Sequence, residues 1–268
     1  MCTLINGYCE TELKTIQEGT VDLVIFDPPY DISVGNVAWD KVSDYMCEAK
    51  KWLNECVRIL RPGGALMVYG SPCRTWVSRM TVMLVDVFDM NHVQDMAWVY
   101  TQGGDSRLAN MTTYAVRHEH LVWFEKKPSN TQARTFNPLA ITEQYSDCNR
   151  ALALAKGKGR VTNKSLNKGK PPRTFIDIPR ENSRSKERKY GKHPSMKPLV
   201  LCERIIKAHT NENDSVVVPF AGSGSEVVAS IKLNRNVVGV EKSLEYVSMI
   251  KRRLEGHGIL HKLVNYPC

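Results

Sequence analysis

The stretch Val21-Asp22-Leu23-Val24-Ile25-Phe26 runs directly into Asp27-Pro28-Pro29-Tyr30, and this junction constrains the fold more than any other part of the chain. A short apolar, β-branched run reads as a strand buried in a parallel sheet. Its carboxyl end opens on Asp27, and in open parallel sheets ligands bind outside the carboxyl ends of the strands. Two prolines stiffen the backbone, so a carboxylate and the Pro28 carbonyl are held outward while Tyr30 offers an aromatic face. A planar amino group donates two hydrogens, and two fixed acceptors suit it. Read alone, the tetrapeptide has a second, weaker reading as a proline-rich turn with a solvated aspartate.

The neighbouring pattern builds a β-α-β unit. Lys41 to Leu60 carries helical spacing (Val42, Tyr45, Trp52, Leu53, Cys56, Leu60), Arg61-Pro62-Gly63-Gly64 ends it, and Ala65 to Tyr69 reads as the next strand. A helix over Thr75 to Val87 and strands over Met96 to Tyr100 and His120 to Glu125 follow. Order returns at Leu199 to His209, a helix. Ser215 to Val218, Ser223 to Leu233, Asn236 to Val240 and Leu244 to Leu254 then read strand, helix, strand, helix. No internal repeat is evident.

Between these halves the periodicity fades. Residues Lys126 to Lys192 hold seventeen Lys and Arg against five acids, a net +12, while the whole chain carries +9, so the remainder sums to −3. A confined excess of this kind suits a polyanionic partner. Phe136, Leu139, Ile141, Tyr145, Phe175, Ile178 and Tyr190 interrupt the polar run, which argues against a linker disordered throughout. At 268 residues with 42% apolar composition the chain can bury a sizeable core. The start, MCTLINGYCETELK, lacks a leader pattern, and no run reaches the roughly 18 apolar residues of a membrane span, so a cytoplasmic protein is expected. Eight scattered cysteines form no C-x-x-C pair, and neither disulfides nor a metal is expected.

The second chemically suggestive segment is Val216-Val217-Val218-Pro219-Phe220-Ala221-Gly222-Ser223-Gly224-Ser225, a strand turning through two glycines into a helix. Glycines let the backbone approach a ligand and expose amides at the helix start. Seventeen residues after Gly224 the next strand ends at Glu241, where a carboxylate can accept hydrogen bonds from both hydroxyls of an adenosine ribose. Val227 stands where the dinucleotide fingerprint has its third glycine. That argues against a pyrophosphate ligand and favours a cofactor with a ribose but no phosphates, such as S-adenosylmethionine, over a nicotinamide; read alone, the glycine pair is equally a tight structural turn.

Asp27-Pro28-Pro29-Tyr30 resembles the catalytic motif of amino-methyltransferases, and Phe220 to Ser225 resembles their F-x-G-x-G cofactor motif. Catalytic motif, basic segment, then cofactor motif is the permuted order of the β class of DNA amino-methyltransferases. His193-Pro194-Ser195-Met196-Lys197-Pro198 is similar to that class's H-P-x-x-K-P element, and Arg117-His118-Glu119-His120 to its H-E segment. The resemblance covers nearly the whole chain. It implies a permuted Rossmann-like α/β fold in three parts: a catalytic half (1–125), a basic target-recognition insertion (126–192) and a cofactor-binding half (193–268). Two positions depart from the class, which usually has Asp where Val218 stands and Thr-Thr where Ser225-Glu226 stands.

The resemblance further implies a reaction. S-adenosylmethionine would be held by Phe220, Ala221, Gly222, Ser223, Gly224, Ser225 and Glu241, with Asp27, His193, Ser195 and Lys197 contacting it or bracing its helix. Asp27, Pro28, Pro29 and Tyr30 would hold the exocyclic amine of a base flipped out of double-stranded DNA, biasing its nitrogen towards tetrahedral geometry. No covalent nucleophile is needed. Asp at the first motif position implies adenine rather than cytosine, whose amino-methyltransferases usually carry Ser. A homodimer is a further implication. The competing readings are a cytosine amino-methyltransferase and a noncatalytic DNA-binding protein with a degenerate fold, which would need the basic segment but not Asp27 or Glu241.

Overall fold

The computed structural model describes residues 1–32, 40, 42–100, 112–129, 133–143, 169–182, 184–260 and 263–265. The chain opens with β1 (Cys2–Asn6) and the single-turn helix α1 (Cys9–Glu12), then runs through β2 (Val21–Phe26), α2 (Tyr45–Ile59), β3 (Leu60–Gly70) and α3 (Trp76–Asp86). Strands β4 (Asn91–Val99), β5 (His118–Glu125) and β6 (Phe175–Asp177) follow. The last part alternates α4 (Leu199–His209), β7 (Ser215–Val218), α5 (Ser225–Lys232), β8 (Asn236–Glu241), α6 (Leu244–Gly256) and β9 (Leu263–Asn265).

These strands form one sheet in the order β6-β4-β5-β3-β2-β7-β8-β1-β9. The block from β3 to β9 is parallel, β5 runs antiparallel to β3, and β4 antiparallel to β5. Both faces of the central strands are covered. On β2, Leu23 and Ile25 enter one apolar cluster with Ile205 and Val227, whereas Val24 and Phe26 enter another with Leu53 and Leu84. A strand buried on both sides needs no polar alternation, which is why β2 reads as nearly continuous apolar sequence.

The sheet reverses its direction of growth between β2 and β7, where Leu23 pairs with Val216 and Val24 with Val217. Val218 in turn pairs with Gly239 of β8. The chain therefore leaves β2 at Asp27, β7 at Pro219 and β8 at Lys242 along a single edge of the sheet. Such a switch point is where open α/β sheets take their ligands.

Three differences from the sequence expectations have local causes. Helix α2 starts at Tyr45, where the Asp44 carboxylate caps it by accepting from Cys47 N at 3.2 Å; Lys41 lies outside the described residues. Strand β3 begins at Leu60 rather than Ala65, because Arg61-Pro62-Gly63-Gly64 bulges within the strand: Gly63 has φ +73° and donates to Lys126 O at 2.8 Å, and the register shifts opposite Val21 and Leu23. Strands β6 and β9, three residues each, are too short to carry a periodic signature that would announce them, and β1 (Cys2–Asn6) is a strand the sequence reading did not include. Of the basic segment, residues 144–168, including Tyr145, lie outside the described residues. β6 pairs with β4 through Ile176 and Trp98, so this part of the segment belongs to the sheet. Among the described residues no helix is long and apolar enough to cross a membrane.

Candidate active site

The three strand ends enclose a cavity of about 310 Å³. Asp27, Pro28, Pro29 and Tyr30 line it from the end of β2, Phe220, Ala221, Gly222 and Ser223 from the end of β7, and Glu241 from the end of β8. His193, Ser195 and Lys197 also reach it from the segment before α4. Gly224 and Ser225 stand behind the loop rather than in the wall; Ser225 is fully buried and donates from Oγ to Lys197 O at 2.7 Å. Among the described residues no group of three or more His, Cys, Asp or Glu is placed to hold a metal ion.

Asp27 sits in a compact charged cluster. Lys197, only 2% exposed, places Nζ 2.9 Å from Asp27 Oδ2 and 3.1 Å from Glu119 Oε2. The Tyr30 hydroxyl lies 2.6 Å from Asp27 Oδ1 and 3.0 Å from Glu119 Oε2, and its single proton serves one carboxylate at a time. Burial raises the Asp27 carboxyl above its usual range against the pull of Lys197, and Glu119 adds to the rise. Burial alone would lower Lys197, but Asp27 and Glu119 reverse this and hold the ammonium firmly protonated. Each Asp27 oxygen thus has one occupied direction and retains a further lone pair.

The loop after Tyr30 is held from two sides. Asp40, 1% exposed, accepts from the backbone N–H groups of Tyr30, Asp31 and Ile32 at 2.8, 3.1 and 2.9 Å. Arg74 donates to Asp31 O, and the Tyr45 hydroxyl donates to Pro29 O at 2.8 Å. Asp31 itself takes φ +53°, a left-handed conformation that these contacts sustain. The Asp27 carboxylate therefore stands on an anchored support.

At the opposite end, Glu241 Oε2 accepts from Gly222 N at 2.7 Å and Oε1 from Ser243 N at 2.8 Å. Burial raises its pKa while these two amides oppose the rise. Gly222 has φ +49° and Gly224 φ +76°; a Cβ on Gly224 would meet Ile250 Cγ1 at 2.6 Å, so neither site accepts a side chain without strain. Phe220 packs edge-to-face on Phe26 and Trp52, with centroids 5.4 and 5.1 Å apart. His193 stacks edge-on against Tyr246 and its Nδ1 accepts from Ser195 N at 3.2 Å. Burial, with Lys197, Arg188 and Arg253 nearby, pushes it down to about 3, so it is neutral.

Behind the glycine loop lies Arg253, fully buried, which donates to Ser223 O at 2.6 Å and Ser225 Oγ at 3.0 Å. Its guanidinium also pairs with Glu187 Oε2 at 2.7 Å. Glu187 belongs to a short 3₁₀ helix, Lys186–Tyr190, at the end of the basic segment. One buried arginine thus ties that segment to the loop.

Residues 21–252 match the profile of the family described as DNA methylase, the group of N6 and N4 methyltransferases. The chain belongs to this family. The methylase is 30% identical over 250 residues to the type II methyltransferase M.HpaI of Haemophilus parainfluenzae, covering 91% of this chain and 71% of that protein. It is also 30% identical over 261 residues to the DNA adenine methyltransferase YhdJ of Escherichia coli K12, covering 94% and 82%. Among solved structures the methylase resembles the M1.HpyAVI complex with S-adenosylmethionine (TM-score 0.65, 23% identity, 95% and 99% covered). It likewise resembles the cytosine-N4-specific PvuII DNA methyltransferase (TM-score 0.68, 16% identity, 97% and 92% covered). At such identities these two likenesses carry the fold, a Rossmann-like methyltransferase sheet.

Glu119 and Glu226 join this site without having been singled out for it by sequence, whereas Asp40, which the sequence offers equally as pocket lining or as surface loop, lines the cavity. The H-E segment points at Glu119 only as part of a motif. Asp40 lies ten positions after Tyr30, and its contact with the Tyr30 N–H is set by tertiary structure. Tyr8, Cys9 and Glu10, which also line the cavity, follow β1, a strand with no periodic signature.

Proposed function

We propose that this methylase transfers a methyl group from S-adenosylmethionine to the N6 amino group of adenine in double-stranded DNA, with the base rotated out of the helix. The observation that carries the reading is the cavity shared by Asp27–Tyr30 and by the Phe220–Ser223 loop with Glu241. Its volume lies at the small end of the roughly 300 to 1,000 Å³ of ligand sites. The residues fit the cofactor. Glu241 keeps lone pairs free beside its two backbone donors for ribose hydroxyls, the glycine loop offers close backbone approach, and Phe220 gives an aromatic wall for an adenine ring. Bound S-adenosylmethionine supplies an electrophilic methyl group on a sulfonium.

What the chain's own residues do follows from their geometry. An exocyclic amine is a weak nucleophile because its lone pair is delocalised into the ring. Asp27, held by Lys197 and Tyr30, accepts one amino hydrogen through its remaining lone pairs, and the Pro28 carbonyl accepts the other. This draws the nitrogen lone pair out of the ring plane. Lys197 counters the burial that raises the Asp27 carboxyl, and proton loss from the nitrogen follows transfer. The amine is inaccessible within a stacked duplex, so the base must leave the stack at a cost of a few kcal/mol. The exposed Arg184, Lys186, Lys189 and Lys192, which precede His193 in the chain, suit the phosphates of the flanking strand.

The test is incubation with isotopically labelled S-adenosylmethionine and mixed-sequence duplex DNA, followed by digestion to nucleosides and mass spectrometry. N6-methyladenine as the main product is expected. N4-methylcytosine would overturn the base, and absence of label would overturn the activity.

A further inference from the structure

Glu226 has no part in the reaction outlined above, although it lines the same cavity from the first turn of α5 and is only 5% exposed. Its Oε1 has no hydrogen-bond partner among the described residues. Buried carboxylate oxygens are normally paired, and an unpaired one at a ligand cavity calls for a donor from the ligand. The buried cation Lys197 does not fill that role: its ammonium serves Asp27 Oδ2, Glu119 Oε2 and Ser195 Oγ at 2.9, 3.1 and 3.3 Å. The Cys202 thiol beside the carboxylate is a weak donor and only opposes the rise of its pKa.

We propose that Glu226 receives the α-ammonium of the methionine part of the methyl donor. The inference rests on the cofactor reading of the cavity and adds a residue to it. Ser225, the residue before Glu226, donates from Oγ to Lys197 O at 2.7 Å, and Lys197 Nζ lies 2.9 Å from Asp27 Oδ2, so Glu226 lines the cavity beside the Lys197 segment, whereas Glu241 is tied to Gly222 on the ribose side. The sulfonium must face Asp27 for transfer, and it carries no N–H. The α-ammonium is linked to it by a short aliphatic chain and has three hydrogens to donate. Burial and the neighbouring Asp27 push Glu226 up to about 6, a value a bound cation would pull back down.

Calorimetry on the full chain with two nucleosides separates this contact from fold and from the rest of the site. S-adenosylhomocysteine retains the amino-acid arm; 5′-methylthioadenosine lacks it. Glu226→Gln and Glu226→Thr should weaken S-adenosylhomocysteine about tenfold to a hundredfold and leave 5′-methylthioadenosine within about twofold of the unaltered chain. Unchanged affinity for S-adenosylhomocysteine, or an equal loss for both nucleosides, overturns the assignment. If the unaltered chain binds neither nucleoside, the cofactor reading itself falls.

Discussion

Lys197 and Asp27 belong to opposite halves of the chain, yet Lys197 Nζ lies 2.9 Å from Asp27 Oδ2 and the lysine is 2% exposed. The ion pair joins the two halves at the point where the chemistry is placed. It also means that Asp27 is both the proposed amine acceptor and one of two counter-ions for a buried cation.

Asp27→Ala should abolish methyl transfer while leaving S-adenosylmethionine affinity within a few fold, because Glu119 remains as a partner for Lys197. Calorimetry beside a transfer assay reads both. Retained turnover would remove Asp27 from the mechanism.

Glu241→Ala should weaken S-adenosylmethionine binding by about tenfold to a hundredfold, since hydrogen bonds to charged groups contribute about 1.5 to 3 kcal/mol. Gly222 and Ser243 lose their shared acceptor in the same substitution, so the loop loosens as well. Unaltered affinity would show that the ribose is held elsewhere.

His209 gives stability a pH dependence of known sign. It is 4% exposed, packs on Trp123 at 4.4 Å, and burial pushes it down to about 3. Below the unfolded value the unfolded chain takes up a proton that the folded chain refuses, so stability falls as pH drops through about 6.5 towards 3. Between pH 7 and pH 5 this one group should remove about 2 kcal/mol, and His193, also pushed down to about 3, acts in the same direction. Urea titrations of the parent chain and of His209→Gln at the two pH values check it. The variant should lose visibly less stability over the interval; equal losses would mean that His209 titrates normally.

Removing Glu187 should damage more than its surface position suggests. Glu187→Ala leaves the fully buried Arg253 guanidinium without its carboxylate, a change of about 3 to 5 kcal/mol, whereas Glu187→Gln keeps one acceptor and should cost less. Arg253 also holds the Ser223 carbonyl, so cofactor affinity should fall together with the denaturation midpoint. Alanine and glutamine variants of equal stability would contradict this.

Replacing the exposed Arg184, Lys186, Lys189 and Lys192 by glutamine should flatten the dependence of DNA affinity on salt, by about 0.9 in log-log slope for each phosphate no longer neutralised. A preserved slope would place the DNA on another face.

Where the sequence is legible, a local rule governs. Helix Leu199–His209 and strand Ser215–Val218 match their expected bounds, the first because Pro198 starts it and Thr210 leaves the helical conformation, the second because it lies between the polar turn at 211–214 and Pro219. The four motif segments are visible for the same reason, as each is a contiguous string. Arg61-Pro62-Gly63-Gly64 misleads because its turn chemistry is real but goes into a bulge, held by Lys126 from far along the chain. Asp40, Glu119 and Glu226 are obscure because their partners are set by tertiary contact: an acidic residue looks the same in sequence whether it caps a loop, shares a lysine or faces a cavity.

The position of β1 has a consequence for synthesis on the ribosome. This strand, Cys2–Asn6, is made before the other described strands of the sheet but lies between β8 and β9, the latest of them, and its partners in β8 are Val237 to Glu241. Until those residues have emerged, the opening strand has no neighbour on either side and the wall formed by Glu241 and Tyr246 does not exist. A nascent chain stalled in the basic segment can therefore carry Asp27-Pro28-Pro29-Tyr30 without a competent pocket, and with unpaired strand edges that invite association with other chains or the attention of chaperones.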